Sequence, residues 1–271
     1  MNRYPAVVAV ALVLASAVAA GAQDIAGRVK QVRNGTVRLT FASQPGVCGD
    51  GETFISLRGW NEEGGRTIIR DSKRGHSMTT GGRDWDNWRN CEEGPLRVAL
   101  DVENGAVVDV HTYVGKNWRA DQPAMSVSAQ SAVNYLLDVV ERGPAHASKR
   151  AMMPIIMADS VEPWRELLRI AKNENVARET RKSAIFWVGQ EAAEEATRNL
   201  KDVVSNPGDL EVRKSAVFAL SQQRTGDAVG ALIEIAKKNP EKELRKSAIF
   251  WLGQSDDPRV IAMFEEILLK N

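Results

Sequence analysis

Histidine and cysteine are scarce in this chain, with three and two copies in 271 residues. His76, His111 and His146 stand far apart, and none has a second imidazole or a thiol at ligand spacing, so no local metal site is expected. Also missing are the G-x-S-x-G turn that exposes a nucleophilic serine, a phosphate-cradling glycine loop ahead of a helix, and the H-E-x-x-H helix of zinc proteases. The chain therefore reads as non-enzymatic, without catalytic residues, cofactor or metal. An excess of one charge is absent too. Lys and Arg total 36 against 35 Asp and Glu, whereas a nucleic-acid binder carries a basic surplus to neutralise phosphates, so nucleic acid is not an expected partner. Long apolar runs are missing except near the start, where Ala6 to Ala20 follows Arg3 and precedes Gly21-Ala22-Gln23. That run is short for the roughly 20 residues of a membrane span. Its A-x-A ending reads as a signal peptide over residues 1–22, which implies a periplasmic or secreted protein with no transmembrane segment after cleavage.

In an oxidising compartment Cys48 and Cys91 pair most simply with each other. They are 43 residues apart, and closing such a loop restrains the unfolded chain by at most about 4 kcal/mol. Around them, residues 23–120 read as a small antiparallel β domain tied by that disulfide. Arg28 to Ser43 alternates about Asn34-Gly35, and Leu96 to Val114 alternates about Asn104-Gly105. Both residues of an Asn-Gly turn tolerate positive φ, which makes the pair a strong hairpin signal. Leu96, Val98, Leu100 and Val102 share one face. The segments ETFISLRG and RTIIR suggest further strands, while Asn61–Gly65 and Asp71–Asn90, rich in Gly, Asp and Asn, read as loops. In the second loop Trp85 and Trp88 alternate with charges. Either they cover a small core, or with Asp50, Arg83 and Asp84 they wall a ligand cleft. The second use defines the rival reading, a ligand-binding module or enzyme centred on this domain.

Beyond residue 120 the chain repeats itself. Arg181 to Gln190 reads RKSAIFWVGQ, Arg245 to Gln254 reads RKSAIFWLGQ, and midway between them Arg213 to Gln222 reads RKSAVFALSQ, a constant spacing of 32. One interval earlier, Lys149 to Ala158 keeps the basic pair and the apolar run as a decayed fourth copy. A fixed period of this size marks a solenoid, in which a unit buries its apolar face only by stacking on its neighbours. Counted from Val212, Ser215, Ala216, Ala219 and Leu220 form the buried stripe of an amphipathic helix, and the small residues among them admit a close neighbour. Another amphipathic segment precedes each copy: Ala132–Val140, Trp164–Ala171, Ala193–Val204 and Ala228–Ala236. Asn206-Pro207-Gly208 and Asn239-Pro240 interrupt between helices, and Asp257-Pro258 supplies an N-cap and an N1 proline for a last, capping helix. The fold class is accordingly α+β and multidomain: the β domain, then over residues 121–271 an α–α solenoid of about four repeats plus a capping helix.

These units resemble HEAT repeats of the short, phycobilisome-lyase-like kind, whose second helix opens with an apolar residue, two basic residues and a run of small ones, as Val212-Arg213-Lys214-Ser215-Ala216 does here. The resemblance covers about Ser126 to Asn271 and implies a fold that serves scaffolds and lyase subunits alike. The whole chain is similar to exported bacterial HEAT-repeat proteins. It departs from the family pattern at the sixth motif position, where Phe186, Phe218 and Phe250 replace an acidic or polar residue.

At 100° per residue, Lys214 and Phe218 point away from the buried stripe. The register aligns Arg150, Lys182, Lys214 and Lys246 in one row and Phe186, Phe218 and Phe250 in another. If the second helices line the inner curve, as in the resembling family, these rows form a face for a protein or an extended acidic peptide. Two structural uses compete with that one. The rings would serve repeat-to-repeat packing, and the basic pairs would answer Glu179, Glu211 and Glu243, two residues ahead of each motif.

Overall fold

The structure, a computed structural model, describes residues 24–49, 51, 53–56, 67–71, 75–79, 92–115, 118, 122–190, 194–223 and 226–269. Residues 1–22, read as a signal peptide, lie outside that set, as do Asp50, Arg83, Asp84, Trp85, Trp88 and Cys91. The chain forms two compact units that divide between Glu162 and Pro163. Its layout is α+β: a small sheet-containing unit followed by a helical, HEAT-like solenoid.

The first unit opens with helix α1, residues 24–31. The alternation beginning at Arg28 predicts a strand here and a hairpin at Asn34-Gly35, but Ile25 and Val29, 0% and 3% exposed, make a stronger i, i+4 helical stripe. The chain then turns through Arg33 (φ 23°) and Gly35 (φ 144°) into β1 (Gly35–Phe41). The second Asn-Gly does close a hairpin, between β7 (Leu96–Glu103) and β8 (Ala106–Tyr113). Asn104 and Gly105 have φ of 52° and 76°, the two left-handed residues that match strand twist in a two-residue turn. The N–H of Asn104 donates to Asn34 Oδ1 (3.1 Å) and that of Gly105 to the Arg33 carbonyl (2.9 Å), so each Asn-Gly pair fixes the other.

One sheet has the order β8-β7-β1-β9, antiparallel except where β9 (Met125–Ser126) runs parallel to β1. Leu96, Val98, Leu100 and Val102 are fully or nearly fully buried on one face, with Val37, Leu39 and Phe41 of β1 beside them. A second, antiparallel sheet has the order β5-β4-β3-β2-β6, from β2 (Val47–Gly49), β3 (Thr53–Ser56), β4 (Thr67–Asp71), β5 (Gly75–Thr79) and β6 (Glu92–Glu93). β3 and β4 lie in the segments read as strands. β5 falls in a stretch read as loop, because Gly75-His76-Ser77-Met78-Thr79 has weak strand propensity and owes its conformation to the backbone ladder with β4. Helices α2 (Ala129–Arg142) and α3 (Ala145–Ile156) complete this unit. The repeat spacing groups that pair with the solenoid, yet α3 packs on β8 within the sheet unit.

The second unit holds α4 (Trp164–Lys172), α5 (Arg178–Gly189), α6 (Glu194–Ser205), α7 (Leu210–Ser221), α8 (Gly226–Lys238), α9 (Lys242–Leu252) and α10 (Pro258–Leu269). Successive helices pair as hairpins, and the hairpins stack into two rows, α4-α6-α8-α10 and α5-α7-α9. The 32-residue register accounts for the core between them. Ala184, Ala216 and Ala248, and likewise Val188, Leu220 and Leu252, are all 0% exposed. Gly189 lets α5 approach α7, since a Cβ there would lie 2.7 Å from the Cβ of Ala219.

In two of the motifs the first basic residue, Arg213 or Arg245, is spent on the hairpin itself. Arg213 donates through Nε and Nη2 to the Val204 carbonyl (3.0 and 2.8 Å), and Arg245 donates through Nη1 to those of Asn239 and Pro240 (2.7 and 2.9 Å). Each thereby satisfies carbonyl groups at the end of the preceding helix, where a cation also suits the helix dipole. Arg181, 8% exposed, turns instead toward Asp209 in the next repeat at 3.5 Å. Asp209 caps α7 by accepting from the N–H groups of Glu211 (2.9 Å) and Val212 (3.3 Å) and also accepts from Arg178 (2.6 Å). Desolvation pushes its carboxyl up, but these hydrogen bonds and the Arg178 charge hold it below the usual carboxylate value. Among the described residues no helix is long and apolar enough to cross a membrane.

Candidate functional site

On the solenoid the two rows are joined by different forces. The first-helix row is tied by charge: Arg165 grips Glu195 with two hydrogen bonds (2.9 and 2.7 Å), Lys201 pairs with Glu234, and Lys237 pairs with Glu266. The hydrogen bond and charge of Lys201 hold the Glu234 carboxyl below its ordinary value.

The second-helix row is tied by rings and, between α5 and α7, also by the Arg178 and Arg181 contacts to Asp209. Phe186 stacks on Phe218 with centroids 6.4 Å apart and planes at 12°, and Phe218 meets Trp251 at 4.8 Å. Trp187 and Phe250 extend the series at each end, 5.1 Å from Phe186 and 4.9 Å from Trp251. None of these five rings is buried, and Phe250 is 60% exposed. The predicted phenylalanine row therefore exists as a continuous, partly solvent-facing aromatic strip across α5, α7 and α9. Trp187 and Trp251 were missed by sequence reasoning, although their spacing of twice 32 was visible. Ala219 stands between them in the register, small because Gly189 presses on it.

Beside the strip, Lys182, Lys214 and Lys246 each pair with the glutamate three residues earlier, Glu179 (3.2 Å), Glu211 (3.1 Å) and Glu243 (2.9 Å). The lysine row is thus a self-compensated ladder. Lys246, by hydrogen bond and charge, lowers the Glu243 carboxyl, and Lys214 of the preceding repeat adds to the effect. Arg150 does not continue that ladder. It faces the sheet, and its Nη1 donates to Asp109 Oδ2 at 2.9 Å, because α3 lies against β8. Pro154 occupies the phenylalanine position of that repeat, so the strip begins at α5.

The sheet unit carries a second chemical concentration that sequence spacing did not reveal. Asp101 of β7 lies directly opposite Asp109 of β8, with His111 two residues further along β8. His111 Nδ1 faces Nη1 of Arg150 at 3.3 Å and, since arginine only donates, must accept there. Its Nε2 is hydrogen-bonded to Asp101 Oδ2 (3.1 Å) and lies 3.3 Å from Asp109 Oδ2, and His146 reaches the same Asp109 oxygen at 3.2 Å. Two histidines 35 residues apart in sequence therefore converge on one carboxylate. Ligand atoms of Asp101, Asp109 and His111 lie within 4.8 Å of one another, but Arg150 already supplies a cation to Asp109.

Further along the same sheet, Arg97 of β7 is 4% exposed. Its guanidinium lies over the rings of Tyr113 (5.9 Å) and Trp118 (5.4 Å), and Arg38 approaches Trp118 at 5.9 Å. Burial lowers the Arg97 guanidinium from the usual arginine value, with Tyr113 partly opposing the shift.

Residues 197–271, which include α7 to α10, match the family of HEAT repeats. No curated protein gives a significant match to the chain. The family match falls on the repeats that carry Phe218, Trp251 and Phe250.

Proposed function

We propose that this protein is an exported, non-enzymatic scaffold whose solenoid binds a segment of a partner protein along the aromatic strip of α5, α7 and α9. The match to HEAT repeats supports the coarser part of this reading, since such repeats generally mediate contacts between proteins. The observation that carries the finer part is the strip itself: five contiguous rings, none buried, on one row of helices. Contiguous exposed apolar surface of this kind marks interaction sites, and aromatic residues dominate the binding energy of interfaces.

The lysines flank the rings, but each already has a glutamate partner. An exposed ion pair is worth about 0–1 kcal/mol, so affinity rests on the rings and the ladder supplies register. The occupant that fits is an extended, apolar and aromatic-containing segment, with acidic residues tolerated beside the lysines rather than required. Export and a Cys48–Cys91 disulfide belong to the same reading. The disulfide is supported by the β2–β6 ladder, which sets Cys48 opposite Glu93, two residues from Cys91 in sequence.

Affinity capture from the native envelope tests the proposal with three baits: wild type, a variant with Phe186, Phe250 and Trp187 changed to Ala, and one with Lys182, Lys214 and Lys246 changed to Glu. A partner held by wild type should be lost by the ring variant and weakened by the lysine variant. Equal capture by the ring variant and wild type rules the strip out as the binding face.

A further inference from the structure

Among the described residues, Arg97 leaves two guanidinium nitrogens, Nε and Nη2, buried without a hydrogen-bond partner. A buried charge persists in a native fold only where something answers it, so this orphaned group asks for an explanation. Tyr113 and Trp118 answer the faces of the guanidinium plane. They leave its edge unanswered, because the N–H bonds point outward within the plane.

Nε and Nη2 share one edge, the side-on fork that donates two parallel hydrogen bonds to the two oxygens of a carboxylate. The same edge is used elsewhere in this chain, where Nε and Nη2 of Arg213 both reach the Val204 carbonyl. In Arg97 it is idle.

We propose that Arg97 anchors a carboxylate-binding site on this face of the β8-β7-β1-β9 sheet, gripping a monoanionic ligand side-on through Nε and Nη2. Charge selects the monoanion. Among the described side chains of this face, the three cations Arg38, Arg97 and Arg150 stand against the two carboxylates of Asp101 and Asp109. A dianionic phosphate would meet the two aspartates on the same sheet. The rings select the rest of the ligand: Tyr113 and Trp118 meet edge to face at 6.2 Å and 71°, an aromatic corner suited to a planar or aliphatic body behind the carboxylate. Register places Tyr113, Arg97, Thr40 and Ser126 side by side across the four strands. Trp118, half-buried, lies against both Arg97 and Arg38 and forms the aromatic side of the site.

Benzoate is a direct probe, titrated into the full-length protein against chloride at equal ionic strength. The readouts are the ¹⁵N–¹H resonance of the Arg97 Nε–H, assigned by its disappearance in Arg97→Lys, and the melting temperature. Wild type should saturate, with the Nε–H resonance moving downfield and the melting temperature rising. Arg97→Lys keeps the charge without the fork and should bind about tenfold more weakly or worse. Arg97→Met should not bind, and should melt above wild type when benzoate is absent because the orphaned charge is gone. If Arg97→Met does not fold, the resonance and the Lys variant still decide. An unmoved Nε–H, equal binding by the Lys variant, or a Met variant that melts lower with its benzoate response intact would each overturn the site and make Arg97 a ring-packing residue. Saturation by inorganic phosphate at lower concentration than benzoate would overturn the choice of carboxylate.

Discussion

Truncation of single rings along the strip separates structural from exposed aromatics. Phe218 touches rings on both sides, Phe186 at 6.4 Å and Trp251 at 4.8 Å. Two aromatic contacts at about 0.5–1.5 kcal/mol each, added to the partial burial of one ring, put Phe218→Ala at about 2–3 kcal/mol of lost stability. Phe250 meets one ring among the described residues, Trp251, and is 60% exposed, so Phe250→Ala should cost no more than about 1 kcal/mol. Urea unfolding followed by helical circular dichroism measures both. With a slope of about 1–3 kcal/mol per molar urea, Phe218→Ala should lower the midpoint by roughly 1 M or more, while Phe250→Ala should stay within a few tenths. Partner capture should follow the opposite order of sensitivity per unit of stability lost. Equal midpoint shifts for the two variants would refute the geometry of the strip, because Phe250 would then be as enclosed as Phe218.

Gly189→Ala should destabilise by about 1–3 kcal/mol despite the better helix propensity of alanine, since the added methyl overlaps Ala219; combining it with Ala219→Gly should recover only part, because the Ala219 Cα and carbonyl oxygen also lie within 3.1 Å. Asp257 accepts from Arg259 through side chain and backbone, which holds its carboxyl at about 2 instead of 3.8. A depressed folded-state value stabilises above the unfolded value and loses that contribution as pH falls through about 2. The melting advantage of wild type over Asp257→Asn should therefore be present at pH 5 and vanish between pH 4 and pH 2. Intact-mass analysis of the non-reduced, alkylated protein should find no label on Cys48 or Cys91, and two labels would reject the disulfide.

The solenoid was legible because its information is periodic. One ten-residue motif at a spacing of 32 located α5, α7 and α9, and the positions of Ala184, Ala216 and Ala248 follow from it without knowledge of any neighbour. The same regularity hid what was not periodic. Arg150 shares the lysine register, yet its environment is set by Asp109 in another element. The lysine–glutamate pairing was visible at i, i+3, and its consequence, a ladder with little net field, needed the geometry. In the sheet unit, the Asn104-Gly105 turn announced itself through local chemistry, while Asn34-Gly35 misled because the window began at Arg28 and excluded Ile25. Arg97, Tyr113 and Trp118 carry no mutual spacing signal at all. Only strand register and the burial of a charge bring them together.

The contrast between the two rows of the solenoid has a mechanical consequence. Salt screens exposed charge pairs over a Debye length of about 8 Å at physiological ionic strength, and leaves ring stacking almost untouched. Rising salt therefore weakens the Arg165–Glu195, Lys201–Glu234 and Lys237–Glu266 ties of the α4-α6-α8-α10 row and the Arg178–Asp209 tie between α5 and α7, while the ring contacts of α5, α7 and α9 persist. The charge-tied contacts of the solenoid thus respond to a change in the surrounding medium before the aromatic strip does.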